Sequence, residues 1–403
     1  MTSGPTATLF DRCRTRSRAA RSAAAGAAQL QGAGAAPKGP RLRSLDVLRG
    51  LTIAAMVLVN NPGDSSFVHP PLRHADWNGW TLADLVFPCF LFVMGTAMAL
   101  SFARRGQRRD LTDFHQVLRR GLILFGAGLA VNAAVAGGLN HLGDFRVMGV
   151  LQRIGLTYVL ASALVLTLTP RRQKVVGAAI LAGYWAALAL LPVPGLGVAA
   201  MTPVHSLPGW IDTAVLGTRH LYGHGAYDPE GLLSTLPAVV TVLLGFWAGE
   251  WLRTRSCTNG TVARLLAAGA LLVAAGLAWG AVLPINKRMW TSSFVLTTAG
   301  FALAALAVCF WVCEVRGWTR VGRPFEILGL NAIVAYTASE AGGALLTRGL
   351  GPGGGSLRTY LFGLAAPWAG RPNASLLFGL GVLLCWWLAL YAMYWRRWFL
   401  KIS

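Results

Sequence analysis

VARLLAAGALLVAAGLAWGAVL, residues 262–283, and SFVLTTAGFALAALAVCFWVC, residues 293–313, decide the fold. Each runs for about 20 residues with no charge inside, apart from Arg264 at the start of the first, and a helix of that length crosses the hydrocarbon core of a bilayer. Buried helices of soluble proteins rarely sustain such a run. Similar stretches give spans over 45–61, 80–102, 116–137, 148–168, 173–192, 232–252, 325–347 and 374–395. The expected fold is all-α, a polytopic membrane protein with about ten transmembrane helices. Composition agrees, with 55% hydrophobic and only 13% charged residues, against about 25% charged in soluble domains.

A net charge of +21 raises the question of nucleic acid, and its distribution answers it. Lysines and arginines number 26 in the two tails and the loops on their side of the membrane, and 8 in the loops on the other side. Such asymmetry orients a membrane protein with its basic face inward. Both termini are expected in the cytoplasm, with no role for nucleic acid. Residues 1–43 hold Asp11 as their single acid and lack the apolar core of a signal peptide. They read as a disordered basic cytoplasmic tail beside anionic lipid. None of the six cysteines falls in an outer loop, so no disulfide framework is expected. Cys309 and Cys313 share an apolar helix face and read as packing.

Polar groups at membrane depth are costly unless paired or functional, so their positions point to sites. Six of seven histidines fall in outer loops: His69, His74, His141, His205, His220 and His224. The densest segment is NNPGDSSFVHPPLRHADWNGWTLAD, residues 60–84, made rigid and non-helical by Pro62, Pro70 and Pro71. A loop so rich in polar groups and abutting helix ends is a candidate active site. YDPEG (227–231) precedes the sixth span, where Asp228 and Glu230 suit a helix start as cap and dipole complement. NKRMWTSS (286–293) opens the eighth span in the same manner. Arg153 is a buried cation, either in a structural ion pair or touching substrate. Asp46 and Arg49 have the spacing of an ion pair within one helix, and Arg49 is also placed to meet a phosphate. His220 and His224 have helical metal-ligand spacing, but Gly223 and Gly225 argue for a loop and against metal. Taken alone, His74 reads as a solvated loop histidine.

Together, RSLDVLRGL (43–51), VNN (59–61), RHADWNGWTLADLVFPCFLFVMG (73–95), GVLQRIGLTY (149–158), YDPEG, NKRMWTSSFVLTTAG (286–300) and GLNAIVAY (329–336) resemble the heparan-α-glucosaminide N-acetyltransferase-like family of transmembrane acyltransferases. The resemblance is to a bacterial-type form, which is expected to lack the large luminal domain. The resemblance implies an acyltransferase domain over 44–403, in the inner membrane, as a homodimer. It also implies acetyl transfer from cytoplasmic acetyl-CoA, without metal, to an amine on the outer face. A small amino sugar or a glucosamine-terminated glycan is the expected acceptor. By motif, His74, Asp84 and Asn60 fall in catalytic positions. Asn78 and Glu230, with Asp228, Asn286 and Trp290 of the same motifs, fall in substrate-binding ones. Arg49 and Arg153 are the expected contacts to CoA.

Amine acetylation needs a base near neutral pH, and histidine titrates there. His74 is expected either to deprotonate the amine or to accept the acetyl group. Asn60 and Asn78 offer amide donors to a tetrahedral oxyanion, a role worth about 3 kcal/mol. The competing expectation is an amino-sugar permease, for which buried Arg153, Glu250 and Glu340 are suited. A non-catalytic membrane scaffold would leave the polar outer cluster unexplained.

Overall fold

The computed structural model describes residues 42–104, 111–136, 143–198 and 201–400. The tail read over 1–43 lies almost wholly outside these residues, as does His141. The helices are α1 (Arg43–Asn60), α2 (Leu82–Arg104), α3 (Leu111–Ala136), α4 (Val150–Thr167), α5 (Pro170–Leu190), α6 (Leu207–Leu216) and α7 (Thr235–Arg253). They continue as α8 (Asn259–Gly280), α9 (Ser292–Phe310), α10 (Thr319–Leu330), α11 (Ala332–Thr347), α12 (Leu357–Ala369) and α13 (Arg371–Trp395). A two-residue hairpin, β1 (Pro192–Val193) against β2 (Gly197–Val198), interrupts the α5–α6 loop.

Among the described residues, eight helices are long and apolar enough to cross a membrane by themselves. The other two crossings differ for identifiable reasons. Helix α1 carries Arg43, Asp46 and Arg49 in its first two turns. The span expected over 325–347 is two helices, α10 and α11, broken at Asn331. The Asn331 backbone leaves helical geometry at φ −122° and ψ 41°. The Asn331 side-chain Nδ2 donates to the Trp398 carbonyl (3.1 Å) and its Oδ1 accepts from the Leu400 amide (3.0 Å), so the chain beyond α13 folds back onto the break.

Glycines set the closest helix contacts. A Cβ on Gly95 of α2 would collide with the Val242 carbonyl of α7, and one on Gly245 would collide with the Phe92 carbonyl. Thr96 Oγ1 donates to the Gly245 carbonyl across the same seam (3.0 Å). Small residues let backbones approach where no hydrophobic effect drives helices together. Helices α2, α7 and α9 form the buried centre, while α3, α5, α8 and α13 present mostly exposed apolar faces, as lipid-facing helices do. Cys309 and Cys313 are buried free thiols, consistent with packing. Cys257 departs from the expectation: it is disulfide-bonded.

The loops sort by end. Trp77 Nε1 donates to the Met201 carbonyl (2.7 Å), Gly79 N to Ile285 O (2.7 Å), Val147 N to His220 O (3.1 Å) and Gly63 N to Ser375 O (3.2 Å). These bonds join the segments before α2, α4, α6, α7 and α9, and the start of α13, at one end of the bundle. Ser44 N to Glu314 Oε1 (3.2 Å) ties α1 to the end of α9 at the opposite end.

Candidate active site

The loop that enters α2 builds the first wall. Thr81, Leu82, Ala83 and Asp84 form the reciprocal half of a capping box, with the Asp84 carboxylate reaching back to the Thr81 amide (3.1 Å). Asp84 Oδ2 also accepts from the Ala75 amide (3.0 Å) and Thr81 Oγ1 (3.2 Å). Its Oδ1 lies 2.7 Å from His74 Nδ1 and 3.2 Å from Lys287 Nζ. Asp84 is 1% exposed, whereas the His74 side chain is 41% exposed. Nδ1 also lies 3.1 Å from Lys287 Nζ, which can only donate; in the tautomer protonated at Nδ1, His74 donates to Asp84 and its Nε2 carries a lone pair. No described residue hydrogen-bonds Nε2.

Lys287 reaches this pair from the turn Asn286–Thr291. Asn286 organises the turn: its Oδ1 accepts from Met289 N (2.9 Å), its carbonyl from Thr291 N (3.1 Å), and its Nδ2 donates to Asn78 Oδ1 (3.1 Å). The turn ends in Trp290, which is fully buried with φ +52°, a region that bulky residues rarely adopt. Trp290 packs edge-on to Phe87 and Phe294, and its Nε1 donates to Thr241 Oγ1 (3.2 Å). Burial holds the Lys287 ammonium below the ordinary lysine range, against the pull of Asp84 and Glu230.

The second wall comes from the α6–α7 loop. YDPEG does not start a helix; α7 begins at Thr235. Arg146 claims its acids instead: Nε donates to Asp228 Oδ2 (2.8 Å), Nη2 to Asp228 Oδ1 (2.5 Å), and Nη2 also to Glu230 Oε2. Burial alone would raise Glu230, but the Arg146 and Arg153 charges outweigh it and hold the carboxyl below its usual range. Burial likewise opposes the Arg146 charge, and Glu230 and Asp228 overcome it. A third wall joins α1 to α11, where Asn60 Nδ2 donates to Glu340 Oε1 (2.7 Å).

These walls enclose a cavity of about 380 Å³ lined by Asn60, His74, Asp84, Glu230, Lys287 and Glu340 among others. That volume falls in the usual range for small-molecule sites, roughly 300–1,000 Å³. Three carboxylates and one imidazole, beside the cations Lys287 and Arg288, surround one space and can meet a ligand carrying an amine. Among the described residues, no three His, Cys, Asp or Glu side chains converge as metal ligands would.

The residues expected at the site divide into lining and support. His74, Asp84, Asn60 and Glu230 line the cavity; Asp228, Asn286 and Trp290 stand behind its wall, and Asn78 lies beside it, exposed. Arg49 sits near the opposite end, paired with Asp46 at 3.1 Å. Arg153 is fully buried, with its guanidinium 4.9 Å from the Trp290 ring centre, donating to the Gly231 carbonyl (3.2 Å) and to Ser234 Oγ. No described carboxylate forms the expected ion pair with it. Enclosed there, it is in no position to meet a CoA phosphate.

Arg146 and Lys287 went unread as site residues because each counts in the sequence as one loop cation. The signal for Lys287 is its place in the NKRMW motif. For Arg146 it is being the lone cation of its loop, opposite two acids. His220 Nδ1 and His224 Nδ1 donate to the backbone carbonyls of Phe145 (2.9 Å) and Arg219 (3.0 Å), and serve loop structure.

A family model described as Heparan-alpha-glucosaminide N-acetyltransferase, catalytic, matches residues 41–278. The chain is 33% identical to heparan-alpha-glucosaminide N-acetyltransferase of Homo sapiens over 356 residues, 75% of this chain and 53% of that protein. To the protein of the same name in Mus musculus it is 32% identical over 354 residues, 74% and 53% of the respective chains. It therefore spans about half the length of the curated relatives it matches. The family match covers more than half of this chain and takes in His74, Asp84, Arg146 and Glu230, and the chain belongs to the heparan-alpha-glucosaminide N-acetyltransferase catalytic family.

Proposed function

We propose that the protein is a transmembrane N-acetyltransferase that moves acetyl from cytoplasmic acetyl-CoA to an amino sugar at the outer face. It would reside in the inner membrane with both termini cytoplasmic. The observation that carries this reading is the His74–Asp84 hydrogen bond, which leaves His74 Nε2 available to a cavity lined by Glu230, Glu340 and Lys287. There Nε2 takes a proton from the sugar amine as its nitrogen attacks the thioester carbonyl. The carbon–sulfur bond breaks and CoA leaves as a thiolate, which takes up a proton. Alternatively Nε2 itself carries the acetyl between the two. Asp84 fixes the tautomer and stabilises the imidazolium, Glu230 and Glu340 attract the ammonium, and the second Nδ2 hydrogen of Asn60 is available to an oxyanion.

Acetyl-CoA is read as entering from the basic end. A second cavity of about 400 Å³ lies there, between the ends of α2, α3, α4, α5 and α7, with Lys174, Gln173, Asp113 and Glu250 in its lining. Lys174 is the one cation of that lining able to pair a phosphate. The permease reading loses support from its own residues: Glu250 pairs with Arg253 at 3.0 Å, and Arg153 is enclosed.

The test is turnover of labelled acetyl-CoA with glucosamine by purified protein. His74→Ala should keep its fold and lose about 10²–10⁴-fold in rate, as for a lost general base. His69, whose Nε2 meets Asn373 Oδ1 (3.1 Å) outside the cavity, is the control and should cost far less. A dead His69→Ala beside an active His74→Ala would refute the assignment.

A further inference from the structure

Tyr222 is a large aromatic residue at the cavity edge that remains 52% exposed, although its surroundings hold it rigidly. The Arg146 guanidinium carbon lies 4.9 Å from the centre of its ring and covers one face. Its backbone amide donates to Asp228 Oδ2 (3.1 Å), the oxygen that also receives Arg146 Nε. Gly223 and His224 follow with φ +59° and +51°, so the chain turns sharply just beyond it. The ring, the guanidinium and the Glu230 carboxylate are therefore one pre-assembled unit. No described ring or cation stacks on the second face.

We infer that the open face of Tyr222 is a platform for the pyranose ring of the acceptor, stacking against its axial C–H bonds while Glu230 and His74 meet the amine. This rests on the amino-sugar reading given above. A cation under one face of an aromatic ring is held by the ring's quadrupole, and the opposite face then offers a flat apolar surface to a ligand whose hydroxyls stay at its rim. Immobilising the ring beforehand removes the ordering cost that a loose side chain would add on binding. Tyr222 accordingly contributes selectivity for a ring over an open chain. The phenol hydroxyl has no role in this account.

The experiment compares glucosamine with its open-chain reduction product, 2-amino-2-deoxyglucitol, as acceptors for the purified full chain with acetyl-CoA. Wild type should prefer the ring in kcat/KM. Tyr222→Phe should preserve that preference. Tyr222→Leu, which keeps apolar bulk over Arg146, and Tyr222→Ala should raise KM for glucosamine about five- to tenfold, the scale of one aromatic stacking contact. Their kcat and their rates with the open-chain amine should change little. A Leu variant equal to Phe, or a preference unchanged in all variants, would overturn the platform while leaving the acetyltransferase reading intact. If wild type acetylates neither amine, both fall together. A melting temperature measured for each variant separates loss of contact from loss of the Arg146 unit: a variant that melts early and loses kcat on both amines places Tyr222 in the scaffold and overturns the platform.

Discussion

Two carboxyl groups beside the same loop show how one residue type takes opposite behaviour from its neighbours. Glu230 is held charged by Arg146, whereas Asp212 on α6 is fully buried with fewer partners. Its Oδ1 accepts from the Leu232 amide (2.8 Å), and its Oδ2 meets no hydrogen-bond donor among the described residues. Burial, with the neighbouring Asp228 charge, pushes it from 3.8 up to about 6, despite the Leu232 bond and the opposing charge of Arg153. The proton is thus bound more tightly in the folded state. Between about pH 4 and pH 6 the unfolded chain has released it and the folded chain has not, so this group's contribution to stability falls as pH rises through that window. The gap is worth roughly 3 kcal/mol. Asp212→Asn keeps the acceptor for Leu232 without the charge. Its melting temperature relative to wild type should climb from pH 4 to pH 6 and level off above. A difference independent of pH would show that Asp212 does not titrate there. The residue scale was partly legible: the long motif picks out His74 and Asp84, but nothing in the sequence distinguishes Asp212 from any loop aspartate.

At the scale of elements, apolar length identified the spans, and the failures occurred where a side chain from a distant segment overruled a local rule. YDPEG has the residues of a helix start, yet its acids are bound by Arg146, 82 positions from Asp228, and the helix begins later. The break in the ninth span is the converse. GLNAIVAY reads as continuous helix, but Asn331 turns its amide to the chain beyond α13. Asn331→Leu should let α10 and α11 approach one helix and free the segment after Trp395. Losing two side-chain hydrogen bonds to the backbone should cost about 1–3 kcal/mol, read as a lower melting temperature with new protease cleavage near residue 396. Unchanged melting and cleavage would mean that other contacts hold the tail.

Across the whole molecule, the charge asymmetry and the sorting of loops agree. The end bearing His74 gathers the polar loops before α2, α4, α7 and α9, and the opposite end carries the greater share of lysine and arginine. The all-α array of spans was legible because hydrophobic length acts one segment at a time. The cavity was not, because it is assembled from α1, α2, α4, α11 and three loops that are far apart in sequence. The central claim is that acetyl crosses the membrane plane from CoA on one side to an amine on the other. Inside-out membrane vesicles loaded with glucosamine and supplied externally with acetyl-labelled CoA test it most directly. The account predicts labelled N-acetylglucosamine inside the vesicles, and none when they carry His74→Ala. Labelled sugar formed only outside, or unmodified glucosamine released without any transfer of label, would contradict it.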